Sequence, residues 1–162
     1  MIQPGDKLPE ATLFEMTPEG PQPVQLSALT RGRRVVLFGL PGAFTPTCSA
    51  RHLPGYVSLA DRLKAKGIDE IVCLSVNDAF VMGAWGREQG AEGKVRMLAD
   101  GNGDLCRAMG LELDLRERGM GIRCQRFSML VEDGVVKALN VEAPGKFEVS
   151  DAETMLAQLD RL

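Results

Sequence analysis

The chain has 162 residues, 44% hydrophobic and 25% charged, which suits one globular domain with a substantial core and leaves no room for a second. Its net charge of -3 and sequence pI near 5.3, with Lys and Arg scattered among Asp and Glu, argue against nucleic acid as a partner. Apolar runs are only strand-sized, so no membrane span is expected, and Met1 to Lys7 lacks the basic start and apolar stretch of a secretion signal, which makes the cytoplasm the default location.

Leu8 to Phe14 and Pro23 to Leu26 alternate loosely around the turn-rich Thr17-Pro18-Glu19-Gly20-Pro21, predicting a short N-terminal hairpin. Arg34 to Leu40 is almost continuously apolar, as in a strand covered on both faces. It runs through Pro41-Gly42-Ala43-Phe44 into a helix start. Thr45 can cap that helix through its hydroxyl, and Pro46 suits the first helical position, where a missing amide hydrogen costs nothing. Cys48 then falls in the first turn. Unpaired amides and the positive end of the helix dipole favour a thiolate there, which makes Cys48 a candidate nucleophile. The helical pattern reaches about Lys66, with Leu53, Tyr56, Val57, Ala60 and Leu63 on one stripe and Gly67 as the stop. Pro54-Gly55 predicts a kink that separates a tip carrying Cys48 from the remainder.

Glu70 to Val76 reads as a second apolar strand, Asp78 as the cap of a helix to about Gln89, and Val95 to Ala99 as a third strand. A short helix is expected at about Gly103 to Met109. Strands alternating with helices imply parallel pairing and right-handed crossovers. Phe127 to Val131 and Val135 to Val141 form a hairpin through Glu132-Asp133-Gly134, since Asp-Gly tolerates positive φ. Ser150 with Glu153 reads as a capping box for a last helix, striped by Ala152, Met155, Leu156, Leu159 and Leu162. A βαβ half, a hairpin and a terminal helix describe a single-domain α/β protein of thioredoxin-like fold, with the N-terminal hairpin as an extension.

The four cysteines, Cys48, Cys73, Cys106 and Cys124, contain no C-x-x-C pair, and with one histidine a zinc site has little support. In a reducing compartment they are expected as free thiols, any disulfide being transient. His52, four residues after Cys48, invites comparison with a Cys-His pair, although no acid is placed to orient it. Trp85 with Phe80 and Val81 reads as core or as the lining of a subunit interface.

Pro41, Thr45 and Cys48 stand in the P-x-x-x-T-x-x-C pattern of the peroxiredoxins. Pro41 to Ser49 resembles the type II, or peroxiredoxin-5, subfamily, and the similarity continues through His52-Leu53-Pro54-Gly55, Ser75-Val76-Asn77-Asp78, Trp85-Gly86 and Arg126-Phe127-Ser128-Met129. The resemblance implies a thiol peroxidase without cofactor, in which Cys48 attacks a hydroperoxide and becomes a sulfenic acid. It further implies that Thr45 orients the peroxide, Pro41 shields the sulfur, Arg126 favours the thiolate, and the amides of Thr47 and Cys48 bind the substrate. Chemistry alone does not separate Arg126 from Arg116, Arg118 and Arg123. The segment Ala143 to Ser150, where some relatives carry a resolving cysteine, has none. A one-cysteine cycle through glutathione and glutaredoxin is therefore expected, with Cys73 as a candidate resolving cysteine and thioredoxin as the donor that would go with it. Cys106 and Cys124 look incidental, though Cys124 offers a place for glutathione capture. The resemblance also implies a homodimer. A redox sensor or holdase using the same cysteine is the alternative function.

Overall fold

The computed structural model describes residues 1–161. The N-terminal hairpin, β1 (Thr12–Thr17) and β2 (Gly20–Gln25), is followed by a short helix α1 (Leu26–Thr30) and by β3 (Arg34–Leu40). After one turn of π-helix at Cys48–His52 come α2 (Leu53–Ala65), β4 (Glu70–Ser75), α3 (Ala79–Glu88), β5 (Arg96–Ala99) and α4 (Asp104–Ala108). The last third holds β6 (Glu112–Asp114), β7 (Ile122–Cys124), β8 (Phe127–Glu132), β9 (Val135–Val141) and α5 (Ala152–Arg161).

Seven strands form one sheet in the order β2-β1-β5-β4-β3-β8-β9, with β3, β4 and β5 parallel and β8 and β9 antiparallel. The thioredoxin-like fold expected from the alternation of strands and helices is present. Side chains of β3 divide by the two-residue period of a strand. Val36, Phe38 and Leu40 pack with Tyr56 of α2, Trp85 of α3 and Met155 of α5, while Val35 and Leu37 join Leu13, Leu74 and Met129 on the other face. β3 is thus covered on both sides. Gly39 faces Phe127 in the register of β3 and β8, and a Cβ there would sit 2.2 Å from the Phe127 ring. That close approach fixes where β8 begins, and with it the position of Arg126.

Several expectations shift. The hairpin lies four residues further along at its start, because the turn closes at Pro18-Glu19 and the edge strand β2 tolerates both Pro21 and Pro23. The predicted kink at Pro54-Gly55 is instead a widened turn before it. The Leu53 amide donates five residues back to the Cys48 carbonyl, which relieves the clash of the Pro54 ring with the turn below, and α2 then runs regularly with Pro54 in its first turn. The Ser150–Glu153 capping box does not form. The Ser150 hydroxyl donates to Glu142, and Asp151 caps α5 by accepting from the Thr154 amide at 3.1 Å. Ala152, Met155, Leu156 and Leu159 are buried as the stripe requires, while Leu162 lies outside the described residues.

Candidate active site around Cys48

The loop after β3 ends on Phe44 at φ +64, a left-handed conformation costing a non-glycine residue roughly 1 kcal/mol. Its neighbours hold it there. The Ala43 amide donates to Asn77 Oδ1 at 3.0 Å, and Asn77 also accepts from the Ser75 hydroxyl at 2.6 Å. From the far side Arg123 donates through Nη1 to the Pro41 carbonyl at 3.2 Å and through Nε to the Met120 carbonyl at 2.8 Å. Thr45 does not cap the helix with its side chain. Its hydroxyl donates to the Gly42 carbonyl at 2.7 Å, tightening the loop, while its carbonyl accepts the Ser49 amide at 2.9 Å as the first helical bond. The amides of Thr47 and Cys48 precede that bond, where helix geometry supplies no carbonyl partner.

Cys48 is fully buried, and Arg126, the residue just before β8, reaches it. Arg126 Nη2 donates to the Cys48 sulfur at 3.1 Å, and Nη1 donates to His52 Nδ1 at 2.9 Å. His52 Nε2 lies 3.1 Å from the Ser150 carbonyl, which also accepts the Tyr56 hydroxyl at 2.8 Å. A carbonyl can only accept and a guanidinium can only donate, so the His52 proton sits on Nε2 and the ring is neutral. Burial and then Arg126 push the His52 pKa down to about 3. The imidazole lone pair faces Arg126, so His52 is an acceptor for the arginine and not a base for Cys48. On the opposite side Trp85, fully buried in α3, donates through Nε1 to the Ser49 hydroxyl at 3.0 Å. Trp85 is core, whereas Phe80 is exposed and Val81 is half-buried.

The four arginines that chemistry left unseparated are distinct in space. Arg126 touches the sulfur, Arg123 braces Pro41, Arg116 pairs with Asp114 at 2.7 Å, and Arg118 lies exposed in the turn beyond. Pro41 and Thr45 share the loop after β3 without bonding Cys48. Cys73 lies in the same buried cluster as Cys48, and burial pushes its thiol well above the ordinary range. Asn77 and Ser49 are contributors that sequence reasoning passed over, although the Ser75-Val76-Asn77-Asp78 motif pointed at the first.

Cys106 and Cys124 are not incidental thiols. They are joined in a disulfide, with Cα atoms 5.8 Å apart, that ties α4 to β7. The pairing of Glu112 with Cys124 folds β7 back beneath α4, and both sulfurs are buried. Strands of three residues leave no periodic signal, so this hairpin was invisible beforehand. A buried bonded sulfur is also no place to capture glutathione. Among the described residues, no group of three or more His, Cys, Asp or Glu is placed to hold a metal ion, and no helix is long and apolar enough to cross a membrane.

A thioredoxin-like sheet that delivers a buried cysteine to a helix start, with a guanidinium from an adjacent antiparallel strand on its sulfur, defines a thiol-based redox site. Residues 3–156 match the Redoxin family, to which the chain belongs as a type II peroxiredoxin, a thiol peroxidase. It is 51% identical to the chloroplastic peroxiredoxin-2E of Arabidopsis thaliana, over 98% of this chain and 69% of that one. Reduced Prx3 of Vibrio vulnificus in complex with hydrogen peroxide superposes with a TM-score of 0.94 at 56% identity, covering 98% of this chain and 99% of that one. Peroxiredoxin 5 from Alvinella pompejana gives 0.88 at 36% identity, with 100% of both chains covered.

Proposed function

We propose that this chain reduces hydrogen peroxide and alkyl hydroperoxides through a sulfenic acid on Cys48. The observation that carries the reading is the Arg126 hydrogen bond to the Cys48 sulfur at 3.1 Å within a buried helix start. A charged donor on sulfur stabilises the thiolate over the thiol. The thiolate attacks one peroxide oxygen, forming an S–O bond as the O–O bond breaks. Sulfur is oxidised by two electrons, and the departing oxygen takes up a proton to leave as water or an alcohol. Arg126 and the amides of Thr47 and Cys48 offset the charge that develops on the peroxide oxygens. The Thr45 hydroxyl already donates to Gly42, so its lone pairs are available to accept the peroxide O–H and set its orientation. Pro41, half-buried and without an N–H, limits water at the loop.

Regeneration by glutathione with glutaredoxin fits the absence of a cysteine from 143–150 and the burial of Cys73. The sulfenic acid condenses with one glutathione to release water, and a second thiol reduces the mixed disulfide. Thioredoxin becomes the donor if β4 opens to let Cys73 reach Cys48. Phe44 in the loop and Phe80 in the first turn of α3 are exposed aromatic side chains, which supports a homodimer.

Stopped-flow fluorescence of Trp85, the chain's single tryptophan, tests the reading. Peroxide is expected to change the signal rapidly in wild type and to leave Cys48→Ser unchanged. Glutathione added afterwards is expected to restore the signal through a species heavier by one glutathione. A Cys48→Ser protein that still consumes peroxide would refute the assignment.

A further inference from the structure

Glu142, directly after β9, is a buried carboxylate that the reaction above does not use; it is 7% exposed. It accepts from the amides of Glu148, Val149 and Ser150 at 2.9, 2.9 and 2.8 Å and from the Ser150 hydroxyl at 2.7 Å. Burial acts to raise its pKa, but the Ser150 hydroxyl and the three amides outweigh burial and hold the carboxyl below the usual range. Its own amide donates to the Arg126 carbonyl at 3.0 Å. The Glu142 side chain therefore closes 143–149 into a loop, while its backbone amide ties the same residue to the arginine's backbone.

The loop's last residue does the aiming. Ser150, fully buried, presents its carbonyl to His52 Nε2 and to the Tyr56 hydroxyl. That contact leaves His52 Nδ1 as an acceptor, which is what Arg126 Nη1 requires, and Nη2 of the same guanidinium reaches Cys48. Were the carbonyl displaced, the ring proton would be free to move to Nδ1 and oppose the guanidinium donor. Phe147, midway in the loop, packs 5.0 Å from the His52 ring and 5.8 Å from the Arg126 guanidinium, measured to ring centroids. An unbroken chain of hydrogen bonds thus runs from Glu142 to the sulfur.

We propose that Glu142 is a positioning residue for the reaction, setting the Ser150 carbonyl so that His52 keeps one tautomer and Arg126 stays aimed at Cys48. It does not touch the reacting atoms, and the proposal rests on the reading of Cys48 as the nucleophile. Glu142→Ala, Glu142→Gln and Ser150→Ala are compared with wild type for the peroxide rate and for the pH profile of Cys48 alkylation, which needs no peroxide. Glu142→Ala is expected to slow the peroxide step about tenfold or more and to move the alkylation midpoint up by about one pH unit. Glu142→Gln keeps one acceptor oxygen and falls between Glu142→Ala and wild type. Ser150→Ala keeps its carbonyl and stays within about threefold of wild type. In a His52→Ala background, Glu142→Ala is expected to change either readout by less than about twofold, because the relay is already cut.

A folded Glu142→Ala with the wild-type rate and alkylation profile would overturn the proposal, as would an equal effect in the His52→Ala background, the mark of a merely structural role. If Glu142→Ala does not fold, Glu142→Gln decides by the same criteria. Wild-type protein inert to peroxide would defeat the peroxidase reading alone, and the alkylation profile would still decide the relay.

Discussion

Cys48 and Cys73 are both fully buried, belong to one apolar cluster and carry free thiols, yet they stand in opposite chemical situations. Cys48 sits at the start of a helix and receives a guanidinium hydrogen bond. Cys73 sits in the middle of β4 between β3 and β5, where its backbone is committed to the ladder and burial pushes its thiol up. Burial by itself makes a thiol inert. The proposed nucleophile differs from its equally buried neighbour in having a helix start and a positioned arginine beside the sulfur.

The largest test of this contrast removes each sulfur in turn. Cys48→Ser should lower peroxide consumption on the order of 10⁴-fold or more, while Cys73→Ser should leave the first turnover unchanged in a stopped-flow assay. Next comes the arginine. Arg126→Gln keeps a donor but loses the charge, and should slow the peroxide step about 10²- to 10³-fold while Arg116→Gln has no effect on it.

The disulfide supplies a contrast of another kind, since Cys106 and Cys124 hold structure by a covalent bond, 18 residues apart in sequence. The double variant Cys106→Ser with Cys124→Ser should lose about 3 kcal/mol of stability in chemical denaturation relative to the bonded protein. Its Cys48 should react with peroxide at nearly the wild-type rate.

The smallest effect per unit change is in pH. His52 is neutral in the fold, with its pKa pushed down to about 3, and takes up a proton on unfolding below its ordinary value of 6.5. Below that value the unfolded state binds more protons, so stability falls as pH drops from about 6.5 towards 3, by about 1.4 kcal/mol per pH unit. Denaturant midpoints measured across this range should lose much of that slope in His52→Gln, since the chain has no other histidine.

Much of the scaffold was legible because its signals are local. The unbroken apolar run of β3, the Asp78 cap, which accepts from the Val81 amide at 2.8 Å, and the Asp133-Gly134 turn, with φ of +48 and +79, each depend on a few adjacent residues. What escaped depends on distant partners. Ser150 resembles a helix cap until Glu142 competes for its hydroxyl, and Thr45 resembles one until Gly42 offers a carbonyl. The Cys106–Cys124 bond needs β6 and β7, too short for any periodicity to announce. Resemblance to the peroxiredoxins singled out Arg126 where charge alone left four candidates, and the register of β3 with β8 explains physically why that residue arrives at the sulfur.

Whether Cys48 alone attacks peroxide is decided by a mass measurement on protein with Cys48 and Cys73 reduced, given one equivalent of peroxide in the presence of a sulfenic-acid trap. A single adduct is expected on the peptide carrying Cys48, absent from Cys48→Ser, with Cys73 still a thiol. An adduct on Cys73, or rapid oxidation that survives Cys48→Ser, would contradict that expectation.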